Sequence, residues 1–425
     1  MPAHSDRLLS IQQTIAFCCP ASSVDSTPAL CYNAHTMNAP LDGIRILDLS
    51  RLLPGPFGTL LLADLGAEVI KVESPQEGDY LRAIPPLVGG EGAYFLAVNR
   101  GKKSVALDLK APAGRQAFLR LVATADALLE GFRPGTMQRL GLDYAALRET
   151  NPSLVYCSLS GYGQDGPRRD CPGHDIDYIA LGGLLGLTGE VGGPPVVPAV
   201  PIADLAGGMA AAIALLAALL GNLRRGQGAY VDVAMRDVVL SWLGTIVMPG
   251  LVAGAPLERG RLMLSGGLPC YHVYQTQDGQ YLSLGALEPK FWANFCRAVG
   301  RDDLLARQFD PQAIAEVQAV LHQRARSEWV ALLARAEACC EPVYTLAEAL
   351  ADPQVAARGL LLEVAQPAAG PLRLVGPPFR LAETPAAAAS PAPRLGEHTA
   401  AVLRSLGYAE TEIAALAKAG AILAT

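Results

Sequence analysis

Apolar and polar positions follow a regular rhythm from Gly43 onward. Ile44-Arg-Ile-Leu-Asp-Leu49 reads as a buried strand. Pro56 to Leu65 reads as a helix stopped by Gly66, and Glu68-Val-Ile-Lys-Val-Glu73 as the next strand. Further strands are predicted at Ser104 to Leu109, Ala127 to Leu129, Leu154 to Ser158 and Tyr230 to Val233, with helical stretches between several of them. Strands alternating with helices imply a largely parallel α/β sheet. After about residue 265 the pattern changes. Tyr271 to Thr276 and Gln280 to Leu284 flank Asp278-Gly279, a strong hairpin signal. Helices are expected at about 290–300 and 326–337. Residues 364–395, rich in Pro and Ala, read as an extended return segment, and one last helix is expected from about Thr399 to Ala419.

These elements divide the chain into an N-terminal extension (1–39), a large Rossmann-like parallel-sheet domain (40–235), a linker helix (236–262), a smaller α+β domain (263–365) and a C-terminal return segment (366–425) that packs on the large domain. The extension is rich in Ser, Ala and Thr without a clear period, and no apolar stretch of signal-peptide type follows Arg7. The most apolar run, Leu205 to Leu220, falls short of the roughly 20 residues a membrane span needs and is expected as a buried helix.

Composition narrows the chemistry. The 425 residues are 51% hydrophobic and carry a net charge of −6, with no dense Lys/Arg run, so nucleic acid is not an expected partner. The nine cysteines include no CxxC, which fits a reducing cytoplasm and argues against a disulfide framework or a metal site. The first turn, Ser50-Arg-Leu-Leu-Pro-Gly-Pro-Phe-Gly58, is not GxGxxG, so Glu73 at the end of the second strand does not make a dinucleotide site.

Three residues stand out as acid/base candidates. His174 follows a Gly/Pro-rich loop in Pro172-Gly-His-Asp-Ile-Asp-Tyr178, where an imidazole can face a ligand; the plainer alternative is a helix cap or a core histidine. Asp204 precedes an apolar helix in Ala203-Asp-Leu-Ala-Gly-Gly208. It reads locally as an N-cap, while Gly207-Gly208 would let a ligand approach. Glu288, in Gly285-Ala-Leu-Glu-Pro289, is by itself an ordinary helix-start acid. Lys71, Arg82, Arg100, Lys102, Lys103 and Arg133 are candidate phosphate contacts.

These motifs carry a resemblance. Leu47 to Pro56, Leu62 to Val69, Asn99 to Leu109, Gly131-Phe-Arg-Pro-Gly135, Gly173 to Tyr178, Ala203 to Gly208, Gly285 to Pro289 and Gly396-Glu-His-Thr399 together resemble the class III CoA-transferases of CaiB/BaiF type. Within that family the α-methylacyl-CoA racemase branch is most similar. The resemblance implies an acyl-CoA substrate, no separate cofactor and an interlocked homodimer with its site between the large domain of one chain and the small domain of its partner. It implies that His174, oriented by Glu288, and Asp204 exchange a proton at the α-carbon of a 2-methylacyl-CoA through an enolate. The transferase alternative makes Asp204 the nucleophile that passes CoA between carboxylic acids. CoA would contact Lys71, Ala106, Leu107, Asp108, Leu109, Arg133, Gly173, Asp175 and Tyr178. Asp177 stands where the racemases usually have Asn, and Ser74 where some have Arg.

Overall fold

The computed structural model describes residues 39–381 and 390–424. The expected N-terminal extension therefore lies outside the described residues except for its last position. The described residues fall within one compact unit. Its centre is a seven-stranded sheet of β1 (Arg45–Leu49), β2 (Glu68–Glu73), β3 (Lys103–Leu107), β4 (Ala127–Glu130), β5 (Val155–Ser160), β6 (Ala229–Ala234) and the late β12 (Ile422–Leu423). The order is β12-β3-β2-β1-β4-β5-β6. All pairs are parallel except β12, which returns antiparallel to β3 with Ile422 opposite Leu107. Hydrophobic strands buried on both sides are what a parallel sheet requires. Alternate residues of β1 show it: Leu47 enters one core with Ile70, Val105 and Phe118, and Ile46 enters the other with Val69, Ala127 and Val155.

The chain leaves β1 toward β2 and β3, then crosses back to β4, β5 and β6. The sheet reverses direction between β1 and β4, and the crevice outside the carboxyl ends of these strands is where open α/β sheets bind ligands. Helix α1 (Pro54–Asp64) starts at this crevice. Helix α2 (Asp175–Leu181), α3 (Ile202–Arg225) and α4 (Met235–Ala253) pack on the face beside it. Helices α1 and α3 meet at two glycines. A Cβ at Gly58 would lie 2.5 Å from Gly208 O, and one at Gly208 would lie 2.3 Å from Pro54 O. Absent side chains let the backbones touch, and the start of α3 is thereby fixed against the start of α1.

The second core belongs to the expected smaller domain. The hairpin β7 (Tyr271–Gln275) and β8 (Tyr281–Gly285) turns through Gly279 at φ +74° and is extended by β9 (Cys340–Pro342). Tyr274, Leu282, Leu284, Trp329 and, from helix α5 (Pro289–Ala298), Trp292 and Phe295 fill it.

Three expectations change. Helix α3 runs 24 residues rather than stopping at Leu220. By length and composition both it and α4 reach the hydropathy of a membrane span. In this fold α3 packs along the sheet through Ala203, Ala211, Leu215 and Leu219, yet Ile213 and Leu223 remain exposed, so it is not wholly buried. The supposedly extended segment opens with a hairpin, β10 (Leu361–Gln366) and β11 (Gly370–Val375). The last helix is two, α6 (Thr399–Ser405) and α7 (Glu410–Lys418), broken where Gly407 takes φ +84°.

Because the α1–α3 contact has no room for a side chain, Gly208→Val is expected to cost ~1–3 kcal/mol by overpacking. It should also lower affinity for CoA esters. Thermal melts with calorimetric titration check this; an unchanged melting point would mean that the two helices part freely.

Candidate active site

The sequence after β1 must turn sharply into α1, and buried charges hold that turn. Asp48 accepts hydrogen bonds from Ser50 N–H at 3.0 Å, Thr59 Oγ1 at 2.6 Å and Lys102 Nζ at 3.0 Å, and from the Ser50 hydroxyl. Lys71 Nζ donates to Ser50 O at 2.9 Å and pairs with Asp79 Oδ2 at 2.9 Å. Asp79 in turn accepts from Leu52 N–H at 3.1 Å, which fixes Leu52 at φ +62°. Burial alone would raise the Asp48 carboxyl, but Lys102 and Lys71 hold it far below the usual carboxylate range. Burial also lowers Lys102, to about 8, against the pull of Asp48.

The two helix starts that carry the expected acid/base groups meet directly. His174 is the exposed N-cap residue of α2, and its N–H donates to Asp177 Oδ2 at 3.0 Å. An Asn would offer the same acceptor, so the exchange at position 177 leaves this cap intact. Asp175 Oδ1 accepts from Asp204 N–H at 3.1 Å, so the first residue of α2 caps the first turn of α3. A helix N-terminus favours an ionised carboxylate. Burial, with the Asp175 charge adding to it, outweighs that here and pushes Asp204 up to about 7. An acid poised near neutrality is suited to giving and taking a proton.

The contacts expected for CoA divide into two groups. Arg133 is exposed on the turn after β4. Glu130, buried at the end of β4 and pushed by burial to about 7, accepts from Phe132 N–H at 2.8 Å and holds that turn. A Cβ at Gly135 would lie 3.2 Å from Arg139 Nη1 and 3.6 Å from Arg169 Nη2. A cavity of about 210 Å³ opens here, lined by Glu130, Arg133, Gln164, Arg169 and Tyr230 among others. Buried Arg169 Nε and Gln164 Nε2 have no hydrogen-bond partner. Guanidinium donors in this number suit a phosphate. Asp108 and Leu109 are half-buried at the end of β3, and Asp108 Oδ1 accepts from Lys110 N–H at 2.9 Å. Gly173 accepts from the Tyr178 hydroxyl at 2.5 Å; that ring packs edge-on to Tyr162 and is buried, which pushes its hydroxyl up to about 12.

The expectation of a CoA contact is not met at Lys71, Ala106 and Leu107, which are 0%, 0% and 1% exposed. Lys71 is committed to Asp79 and Ser50, and Ala106 and Leu107 lie between β2 and β12. Of the other cations considered, Arg82 pairs with Glu73 and Glu91, Arg100 with Asp64, Lys102 with Asp48 and Lys103 with Glu68. Glu288 is the exposed N-cap residue of α5, on the second core. Among the described residues no hydrogen bond or ion pair joins it to His174 or Asp204. None of the three lines the larger cavity, about 1500 Å³, beside β7 and β8. Arg51, Arg139 and Arg169 were not singled out from the sequence. Arg139 and Arg169 lie close to the Gly131–Gly135 motif, which was the available signal. No group of His, Cys, Asp and Glu among the described residues is arranged to hold a metal ion.

Burial favours neutral Asp204, so its folded-state value exceeds that of the unfolded chain and stability is lost as pH rises from about 4 to about 7. Thermal melts of the parent and Asp204→Asn are expected to agree closely at pH 4, and the variant should melt higher at pH 8. The same offset at both pH values would contradict the raised value.

Comparison with known proteins agrees with this architecture. Residues 41–399 match the model of CoA-transferase family III. The chain is 34% identical to the succinyl-CoA:glutarate CoA-transferase of Homo sapiens, covering 90% of each protein. It is 35% identical to the alpha-methylacyl-CoA racemase of Mus musculus, covering 88% of this chain and 95% of that protein. A CAIB/BAIF family protein from Brucella suis, 33% identical, superposes with a TM-score of 0.76 over 87% of this chain and 100% of that structure. Proteins of both activities thus lie near 35% identity, and this chain belongs to the CoA-transferase family III, whose members include CoA-transferases and a racemase.

Proposed function

We propose that this enzyme epimerises 2-methylacyl-CoA thioesters by 1,1-proton transfer. The observation that supports the reading is geometric: the start of α3 that bears Asp204 is tied to the start of α2 that bears His174 through the Asp204 N–H to Asp175 Oδ1 bond at 3.1 Å, and burial there raises the Asp204 carboxyl. A nucleophilic carboxylate must be ionised, whereas an acid/base must hold and release its proton near working pH. The α-proton of the thioester passes to a base on one face, leaving an enolate; an acid on the opposite face returns a proton to the same carbon. His174 serves one face and Asp204 the other. Backbone N–H groups at a helix start supply donors to the enolate oxygen. The phosphates of CoA lie on Arg133, Arg139 and Arg169.

Glu288 completes the site from a second chain in this reading. It lies on the second core, and among the described residues no hydrogen bond or ion pair joins it to His174. The faces of α3 and α4 are rich in exposed apolar side chains, among them Ile213, Leu223, Trp242, Leu251 and Val252. An apolar surface of that kind is characteristic of an interface. We therefore expect a homodimer, and the cysteine usage of the chain leads us to expect that it acts in the cytoplasm. The transferase reading, with Asp204 as the acyl-accepting nucleophile, is favoured by the names of relatives in Homo sapiens and in Fusarium pseudograminearum, the latter an acyl-CoA transferase 35% identical over 94% of this chain.

Incubation with (S)-2-methylacyl-CoA in D₂O, followed by NMR, is expected to show α-deuteration and epimerisation without an acceptor acid. His174→Ala and Glu288→Gln should each slow exchange ~10²-fold or more. Co-production of Asp204→Asn with Glu288→Gln chains should restore part of it, because mixed dimers hold one intact site. CoA transfer to an added carboxylic acid with a modified Asp204 peptide, and no α-exchange, would establish the transferase instead.

A further inference from the structure

The backbone around Glu288 is anchored on both sides while its carboxylate is left free. Gln308, a buried residue, follows the 3₁₀ turn Asp302–Arg307, which is tied to α5 where Trp292 Nε1 donates to Leu304 O at 3.0 Å. The one Gln308 side-chain amide donates to two consecutive carbonyls, Ala286 O at 3.0 Å and Leu287 O at 2.8 Å. These are the two residues that lead from β8 into Glu288. Ala286 N–H donates to Cys270 O at 2.7 Å, just before β7, and Glu288 O accepts from Phe291 N–H at 3.0 Å and Trp292 N–H at 3.2 Å in the first turn of α5. The Glu288 side chain, by contrast, makes no bond to its own helix, although it stands at the N-cap position and is exposed. Among the described residues no hydrogen bond or ion pair occupies its carboxylate.

A buried amide that serves two carbonyls has a plain structural use, since an apolar residue in its place would leave both acceptors unpaired. The residue it supports points further. Asp, Asn, Ser or Thr at position 288 would cap α5; this glutamate does not, so the helix start gains nothing from its side chain. The anchors therefore fix a segment whose exposed acid is available to another group. We infer that Gln308 is a positioning residue for the reaction: it sets the direction in which Glu288 leaves the second core, and with it the placement at which the Glu288 carboxylate orients His174 of a second chain. This rests on the reading that Glu288 takes part in proton transfer. A misplacement of about 1 Å by a residue away from the chemistry can cost on the order of 10²-fold in rate, so support of this kind is large enough to measure.

Gln308→Met keeps the length of the side chain and removes both donors. Amide hydrogen exchange read by mass spectrometry needs no turnover. In this variant the peptide spanning 285–291 is expected to exchange ~10-fold faster or more, with the β7 and β8 strands unchanged. Unaltered exchange in that peptide would overturn the inference, and so would faster exchange throughout the second core, which would make Gln308 a general support of the fold. Rates of α-deuteration of a 2-methylacyl-CoA are then compared in the parent, Gln308→Met, Glu288→Gln and the double variant. Gln308→Met is expected to lower kcat ~10-fold or more with KM changed by less than about twofold. It should cost nothing further once Glu288 is replaced, because a residue that acts through that carboxylate is silent without it. Equal losses in both backgrounds would overturn the inference. A slow Glu288→Gln beside a full-rate Gln308→Met would overturn it alone, whereas a parent without α-exchange or a full-rate Glu288→Gln would overturn the racemase reading and the inference with it.

Discussion

The site hangs on charges that never see solvent. Asp48 and Lys102, with Lys71 and Asp79 beside them, are buried beneath the turn that follows β1. Burying one such pair is no clear gain in stability, because desolvation offsets the attraction; removing one partner leaves an uncompensated charge and costs about 3–5 kcal/mol. What the network supplies is position. Its hydrogen bonds end on Ser50 N–H, Ser50 O and Leu52 N–H, three consecutive anchors of one turn. That turn sets the start of α1. The start of α1 sets the start of α3 through bare backbone at Gly58 and Gly208. A buried ion cluster thus reaches Asp204 through two rigid steps.

Asp204 then behaves as its surroundings dictate. The helix start and the thioester chemistry pull in different directions. Unburied, a carboxylate in the first turn of a 24-residue helix would stay ionised, as an acyl-accepting nucleophile requires. The burial of this site and the neighbouring Asp175 raise it toward neutrality. Relatives of one fold carry both transferase and racemase names, and small differences in burial and in neighbouring charge are a physical means by which one aspartate can be turned to either task.

The strands were legible because a parallel sheet buries both faces and leaves short, nearly continuous apolar runs; Ile44 to Leu49 and Glu68 to Glu73 match β1 and β2 within a residue. The β7–β8 hairpin was legible because Asp278-Gly279 supplies the left-handed turn. Helix α3 was read too short, since its exposed Leu223 and Arg224 extend beyond the apolar run that marked it. The β10–β11 hairpin was hidden by Pro371 and by weak alternation in a mostly exposed pair. Among candidate site residues, the local motifs of His174 and Asp204 marked helix starts, which is where the structure puts them, while their acid/base roles were read from the resemblance. Lys71 misled for a physical reason: a lysine in a strand looks the same in sequence whether its ammonium faces solvent or, as here, a buried Asp79.

The same helix that presents Asp204 also leaves an apolar side uncovered. Ala203, Ala206, Ala211 and Leu215 face the sheet, while Met209, Ile213, Leu220 and Leu223 face outward. Helix α4 repeats the arrangement with Val239 and Leu243 inward and Trp242, Leu251 and Val252 outward. Glu288, proposed as the third group of the acid/base set, is meanwhile the N-cap residue of a helix on a core with its own hydrophobic interior. On the proposed reading one chain has two incomplete features, an apolar face without a cover and a proposed acid/base pair without its third member. Association of two chains would resolve both at once if the second core of one closed over the α2–α3 junction of the other. The energetic need to cover apolar surface would then impose the geometry that the proposed proton transfer requires.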